Sequence, residues 1–144
     1  MKWIVTANTN DCRIYEKHDN ALKLIKEISR PENKLKDSEL SSDKPGRYNS
    51  SNSMGGGGAY APHTEIEDVQ DSNFAREIAR ELNEARNKNN YKELEIIMPA
   101  QIEGLFSKHL NTNVKDLIKL TMQKNIMHLS EKELFDYLDE NRKL

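Results

Sequence analysis

The chain has one cysteine, no long hydrophobic run and almost no net charge. The lone Cys12 among 144 residues excludes an internal disulfide and fits a reducing compartment. No stretch approaches the roughly 20 apolar residues that span a bilayer, so no membrane insertion is expected. The start, Met1-Lys2-Trp3-Ile4-Val5-Thr6-Ala7-Asn8, turns polar too soon for a signal-peptide core, and the expected location is cytoplasmic. Lys and Arg number 22 against 24 Asp and Glu, a formal net charge of −2. A free-standing nucleic-acid binder usually carries a basic excess, because phosphate neutralisation supplies most non-specific affinity. Any basic surface here must therefore be local.

Hydrophobic periodicity is also missing, over more than thirty residues from Arg30 to His63. A connection that long inside a compact domain is usually functional or disordered. It contains Leu35-Lys36-Asp37-Ser38-Glu39-Leu40-Ser41-Ser42-Asp43-Lys44-Pro45-Gly46-Arg47 and then Gly55-Gly56-Gly57-Gly58. Glycine lowers helix and strand propensity, and Pro45 fixes one dihedral and removes a donor. Charged residues surround the Lys-Pro-Gly-Arg tetrapeptide, so nothing there can bury a core. The segment is expected to be a flexible loop that meets a partner, within one domain covering residues 1–144. A mobile solvated loop is the competing account.

On either side of this segment the pattern is regular. Trp3 to Ala7 is a β-branched apolar run that ends at the turn residues Asn8-Thr9-Asn10-Asp11. Cys12 and Ile14 alternate with polar residues, which predicts a half-buried strand to Lys17 with Tyr15 on its other face. A third strand is expected from Leu22 to Ile28. After the loop, Phe74, Ile78 and Leu82 with Ala75, Ala79 and Ala85 draw one apolar stripe on a helix. That helix is expected to start near Asp68, Asp71 and Ser72 and to stop at Asn89-Asn90.

Leu94 to Met98 is continuous enough for a strand covered on both faces. Pro99 suits the first turn of a helix facing inward through Ile102, Leu105, Phe106 and Leu110. Ile118 to Lys124 reads as a last strand, with helix in competition. Ser130 and Glu133 form a capping box for a final helix, with Leu129 and Leu134 at the staple positions. The fold class expected is α/β, a mixed five-stranded sheet with about three helices, in the order β-β-β-loop-α-β-α-β-α. That is the order of a ribonuclease-H-like fold.

Catalytic chemistry is not evident. A ribonuclease-H-like nuclease needs acids at strand ends to hold two metal ions, and Asp11, Asp43, Glu65 and Asp68 have no such spacing. With 32% of residues charged, solvated surface is the expected role for these acids. His18, His63, His109 and His128 are scattered, and Cys12 is expected to pack in the core. The glycine run lacks the phosphate-loop pattern of a strand, G-x-x-x-x-G-K-[ST] and a helix. No metal and no cofactor are expected. Arg76, Arg80 and Arg86 alternate with Glu77, Glu81 and Glu84, which predicts a salt-bridged solvent face.

Taken together, these segments resemble the bacterial host attachment protein family, whose members are similar to the middle domain of archaeal and eukaryotic peptide chain release factors. The resemblance covers almost the whole chain. It is carried by Trp3-Ile4-Val5 with Arg13-Ile14-Tyr15, and by Leu35-Lys36-Asp37 and Glu39-Leu40 with Ser42 to Arg47. Phe74-Ala75-Arg76-Glu77-Ile78, Met98-Pro99-Ala100 with Gly104-Leu105, and His128-Leu129-Ser130 complete it. The loop motif is its specific part. Many members carry an acid where this chain has Asn8. Release factors use Gly-Gly-Gln, whereas Gly55 to Gly58 are followed by Ala59-Tyr60 with no glutamine in the loop.

The resemblance therefore implies a non-catalytic binding protein working near the translation machinery. Its expected contacts with ribosomal or transfer RNA are Lys36, Asp37, Asp43, Lys44, Pro45, Gly46, Arg47 and Gly55, Gly56, Gly57 and Gly58. A host protein is the alternative partner, in line with the family's name. A hydrolase acting on RNA or an ester ranks third.

Overall fold

The computed structural model describes residues 1–30 and 63–142, with side chains over 1–30 and 69–141. Strand β1 (Lys2–Ala7) lies at the centre, because its apolar run has no polar face to give to water. It pairs antiparallel with β2 (Asp11–Lys17), which pairs antiparallel with β3 (Leu22–Ser29). Helix α1 (His63–Asn87) follows, then β4 (Glu93–Ile97), α2 (Ala100–His109), the one-turn α3 (Thr112–Lys115), β5 (Ile118–Met122) and α4 (Glu131–Arg142). The five-stranded sheet has the order β3-β2-β1-β4-β5, with β4 parallel to β1 and to β5. The chain thus builds one side of β1 and then switches to the other.

The sheet is mixed, as expected, and residues 118–122 are strand. The helices number four among the described residues, because α3 adds one turn anchored by the buried Val114. Helix α1 begins at His63, well before the expected start, and Asp71 lies inside it. Its end matches the pattern: Asn89 takes a left-handed φ of 58°, which asparagine tolerates better than most residues, and the chain turns into β4.

Alternate residues of β1 feed two cores. Trp3, Val5 and Ala7 pack with Leu94, Ile96 and Met98 against Phe74, Ile78 and Leu82 of α1 and Ile102 and Phe106 of α2. Ile4 and Ile97 pack with Leu134 and Leu138 of α4. Each fully buried aliphatic side chain here contributes about 1.5–3 kcal/mol. The α4 core also takes Tyr15, so β2 is covered on both faces rather than half-buried. Tyr91 closes the bottom of the first core, its ring centroid 4.9 Å from that of Trp3 and its hydroxyl donating to the Leu82 carbonyl at 2.7 Å.

The helix ends follow their residues. Ser130 Oγ accepts from the Glu133 N–H at 3.1 Å, and Glu133 Oε1 accepts from the Ser130 N–H at 2.9 Å. This is the expected capping box. Pro99 is the N-cap of α2 and stands one residue before the helix proper.

Candidate recognition site at the carboxyl end of the sheet

In an open α/β sheet, ligands bind outside the carboxyl ends of the strands, where the strand order reverses. Here that point lies between β1 and β4, above Ala7 and Ile97. Three connections meet near it. Asn8 opens the β1–β2 turn, its Oδ1 accepting from the N–H groups of Asn10 and Asp11, each at 2.8 Å. The asparagine side chain is thus used in the turn itself. Arg30 follows β3 and donates its backbone N–H to the Asn10 carbonyl at 2.9 Å. Gln101 stands in the first turn of α2.

Arg30 joins these pieces. Its Nη1 donates to the Thr9 carbonyl at 2.8 Å and lies 2.7 Å from Asp71 Oδ1. Its Nη2 donates to Gln70 Oε1 at 3.4 Å, and Gln101 Nε2 donates to Asp71 Oδ2. Arg30 is 8% exposed and Asp71 3%. Two charges removed from water are tolerated because each is paired and hydrogen-bonded. One side-chain chain, Gln70–Arg30–Asp71–Gln101, therefore ties the end of β3 to α1 and α2.

The consequence for the connection between β3 and α1 is topological. Arg30 and Gln70 are 40 positions apart in sequence and share a hydrogen bond. The chain leaves the carboxyl end of the sheet at Arg30 and is back at the same place by Gln70. The residues expected to make the partner contact, Lys36, Asp37, Asp43, Lys44, Pro45, Gly46, Arg47, Gly55, Gly56, Gly57 and Gly58, lie outside the described residues.

Arg30, Gln70, Asp71 and Gln101 were not among the site residues expected from sequence, where Asp71 entered only as a mark of the helix start and Arg30 as the start of the aperiodic segment. One signal was present: Asp71 falls three positions before Phe74 and continues the stripe through Ile78 and Leu82. A carboxylate in phase with an apolar stripe needs a buried partner. The identity of that partner, and of Gln101, needs the fold.

Elsewhere the reactive groups are quiet. The Cys12 thiol is wholly buried, and burial pushes its pKa far above the ordinary range, with Asp11 and Glu81 adding to the effect. It is no nucleophile at neutral pH. Among the described residues no group of three or more His, Cys, Asp or Glu is placed to hold a metal ion. His18 Nε2 lies 3.2 Å from a Glu16 carboxylate oxygen. Arg80 pairs with Glu77 and, at 3.2 Å, with Glu84, as the alternating charges predicted, while Glu81 reaches across to Lys26 at 2.7 Å. No described helix is long and apolar enough to cross a membrane.

Sheet order and helix placement define an α/β protein of the kind found within peptide chain release factors. An archaeal translation termination factor, aRF1, matches with a TM-score of 0.51 at 12% identity, over 99% of this chain and 34% of that one. A second solved structure, described as an archaeal protein, matches with a TM-score of 0.49 and the same identity and coverage. This chain thus spans about a third of the length of either. No curated protein matches the sequence. The family described as "Protein required for attachment to host cells" matches residues 3–138, and the chain belongs to that family.

Proposed function

We propose that this protein is a non-catalytic binding protein that engages ribosomal or transfer RNA through the segment between Arg30 and Gln70. The observation that carries the reading is the Arg30–Gln70 contact backed by Asp71, which pins both ends of that segment at the carboxyl end of the sheet. Holding the ends together removes part of the entropy that a long connection loses when it is ordered by a partner. Lys36, Lys44 and Arg47 supply local positive charge. Guanidinium suits bidentate contact with phosphate, and Pro45-Gly46 shapes a turn before Arg47. Asp37, Asp43 and Gly55 to Gly58 complete the segment's proposed contact set. The fold shared with part of a translation termination factor supports RNA as the partner by analogy, since one fold hosts many functions.

The family's description favours a second reading, a factor for contact with host cells. A hydrolase acting on RNA or an ester is the least supported, because no catalytic constellation occurs among the described residues.

Sucrose-gradient sedimentation of a cell extract at moderate salt tests the first reading. The wild-type protein should travel with ribosomes or bind transfer RNA, and Lys44→Ala with Arg47→Ala should release it while leaving its circular dichroism unchanged. Unchanged recovery of the folded double mutant would refute the loop charges as the contact. A surface or secreted location with no RNA binding would favour the host-contact reading.

A further inference from the structure

We infer that the surface at the amino end of the sheet, which carries Arg86, Lys88, Lys92, Lys108 and Lys115, contacts the phosphate backbone of RNA. The inference rests on the RNA-binding reading above for its partner and adds a second contact, at the end of the sheet opposite Arg30. The five cations come from separate parts of the sequence, and the fold gathers them. Asn83 Nδ2 donates to the His109 carbonyl at 3.2 Å, and Asn83 Oδ1 accepts from the Asn111 N–H at 3.0 Å. The last turn of α1, which holds Arg86 and leads to Lys88, is thereby tied to the end of α2, which holds Lys108, and to the start of α3. The Leu94 N–H donates to the Leu117 carbonyl at 2.9 Å. That bond brings the chain just after Lys92 and the chain just after Lys115 to the same end of the sheet.

The four lysines are exposed and Arg86 is half-buried. None of the five makes an ion pair among the described residues. The acids of the same region are fewer and mostly committed: Glu84 lies 3.2 Å from Arg80, Glu93 lies 3.6 Å from Lys2, and Asp116 is left. A cation in the last turn of a helix offsets the negative pole of the dipole, and Arg86, Lys108 and Lys115 stand there. Lys88 and Lys92 lie beyond the helices and add charge that the dipoles do not require. The surface also discriminates between partners. Protein interfaces have an apolar centre and are depleted in lysine. Here Tyr91, Leu110 and Val114 are buried, and exposed Asn87, Asn89, Asn90, Asn111 and Asn113 stand among the cations. Lysine, arginine and asparagine hydrogen-bond phosphate and sugar oxygens. Membrane association through an apolar face has nothing to use here.

Fluorescence anisotropy on the full chain, with labelled single-stranded oligo-U and oligo-A over a range of salt, tests this. The wild type should bind both. Lys88→Ala with Lys115→Ala should weaken both alike and flatten the slope of log affinity against log salt by about 1.4, since each lost contact to single-stranded phosphate removes about 0.7. Circular dichroism should stay as in the wild type, because both lysines are exposed. An unchanged slope in the folded variant would overturn the inference; a slope then flattened by Lys44→Ala with Arg47→Ala would leave the RNA reading standing. A slope flattened by the first pair and not by the second would uphold the inference and move the RNA contact away from the segment beyond Arg30. Failure of the wild type to bind either oligonucleotide would overturn both. Displacement of the RNA by an equal charge of poly-glutamate would assign the surface to an acidic protein, and tighter binding to phosphatidylserine vesicles would assign it to a membrane. Either result would overturn the inference.

Discussion

Replacing Asp71 with alanine removes the carboxylate that faces a buried arginine, and the size of the loss can be worked out. Taking one partner from a buried ion pair costs about 3–5 kcal/mol, because the interaction that offset the desolvation of the remaining charge is lost. Arg30 keeps the Thr9 carbonyl at 2.8 Å and Gln70 at 3.4 Å, which places the expected loss near the lower end, about 3 kcal/mol. Against a total stability of about 5–15 kcal/mol, that is large. Urea unfolding followed by Trp3 fluorescence and far-ultraviolet circular dichroism reads it directly. With a slope of about 2 kcal/mol/M, the midpoint should fall by about 1.5 M. The double variant Arg30→Met with Asp71→Leu replaces both charges by apolar groups of similar size and should recover to within about 1 kcal/mol of wild type. A loss under about 1 kcal/mol in Asp71→Ala would refute the pair as a buried tie. A double variant as unstable as the single would show that packing, not the loss of the Asp71 charge, sets the cost.

Other consequences are smaller and equally direct. Gly104 lies within α2, is exposed, and a Cβ added there meets nothing within 4 Å, so Gly104→Ala should stabilise by about 0.5–1 kcal/mol; a raised urea midpoint confirms it, and a lowered one refutes the open space. Ser130→Ala should cost about 1 kcal/mol through the lost N-cap of α4, seen as a lower melting temperature, and an unchanged one contradicts the capping role. The backbone N–H of Ser130 holds the Glu133 carboxyl below its ordinary pKa, with the Ser130 side chain adding to it. The stability this gives is fully present above the unfolded value of about 4.3 and is lost as pH falls through the depressed one. The stability gap between wild type and Glu133→Gln should accordingly be flat above about pH 5 and shrink below that range. Cys12 should resist a thiol reagent at pH 8 in the native protein and react once urea unfolds the chain; fast native labelling would show that the strand opens.

Local pattern made most elements of this fold legible. Trp3 to Ala7 and Leu94 to Met98 read as strands because both of their faces are buried, and Ser130 with Glu133 announced α4 through a bond pair that needs only four residues. Misreadings arose where tertiary contact outweighs local signal. Tyr15 looked half-solvated by alternation, yet α4 covers it, and no residue near Tyr15 in sequence encodes that helix. The turn of α3 has one buried side chain, Val114, too little to draw a periodic stripe. The acids around Asp68 suggested a helix start, whereas α1 begins at His63.

The candidate site was less legible for the same reason. Asp71 is the instructive case, because its phase with Phe74 and Ile78 shows that it must be buried, and burial demands a cation. Sequence alone offers 22 lysines and arginines for that role. Arg30 is selected by topology: β3 and α1 both meet the carboxyl end of the sheet, and the arginine that ends one faces the carboxylate inside the other. Gln101 enters because the parallel pairing of β4 with β1 brings the start of α2 to the same end. The stripe therefore predicts that a polar tie exists, and the strand order β3-β2-β1-β4-β5 determines which residues make it.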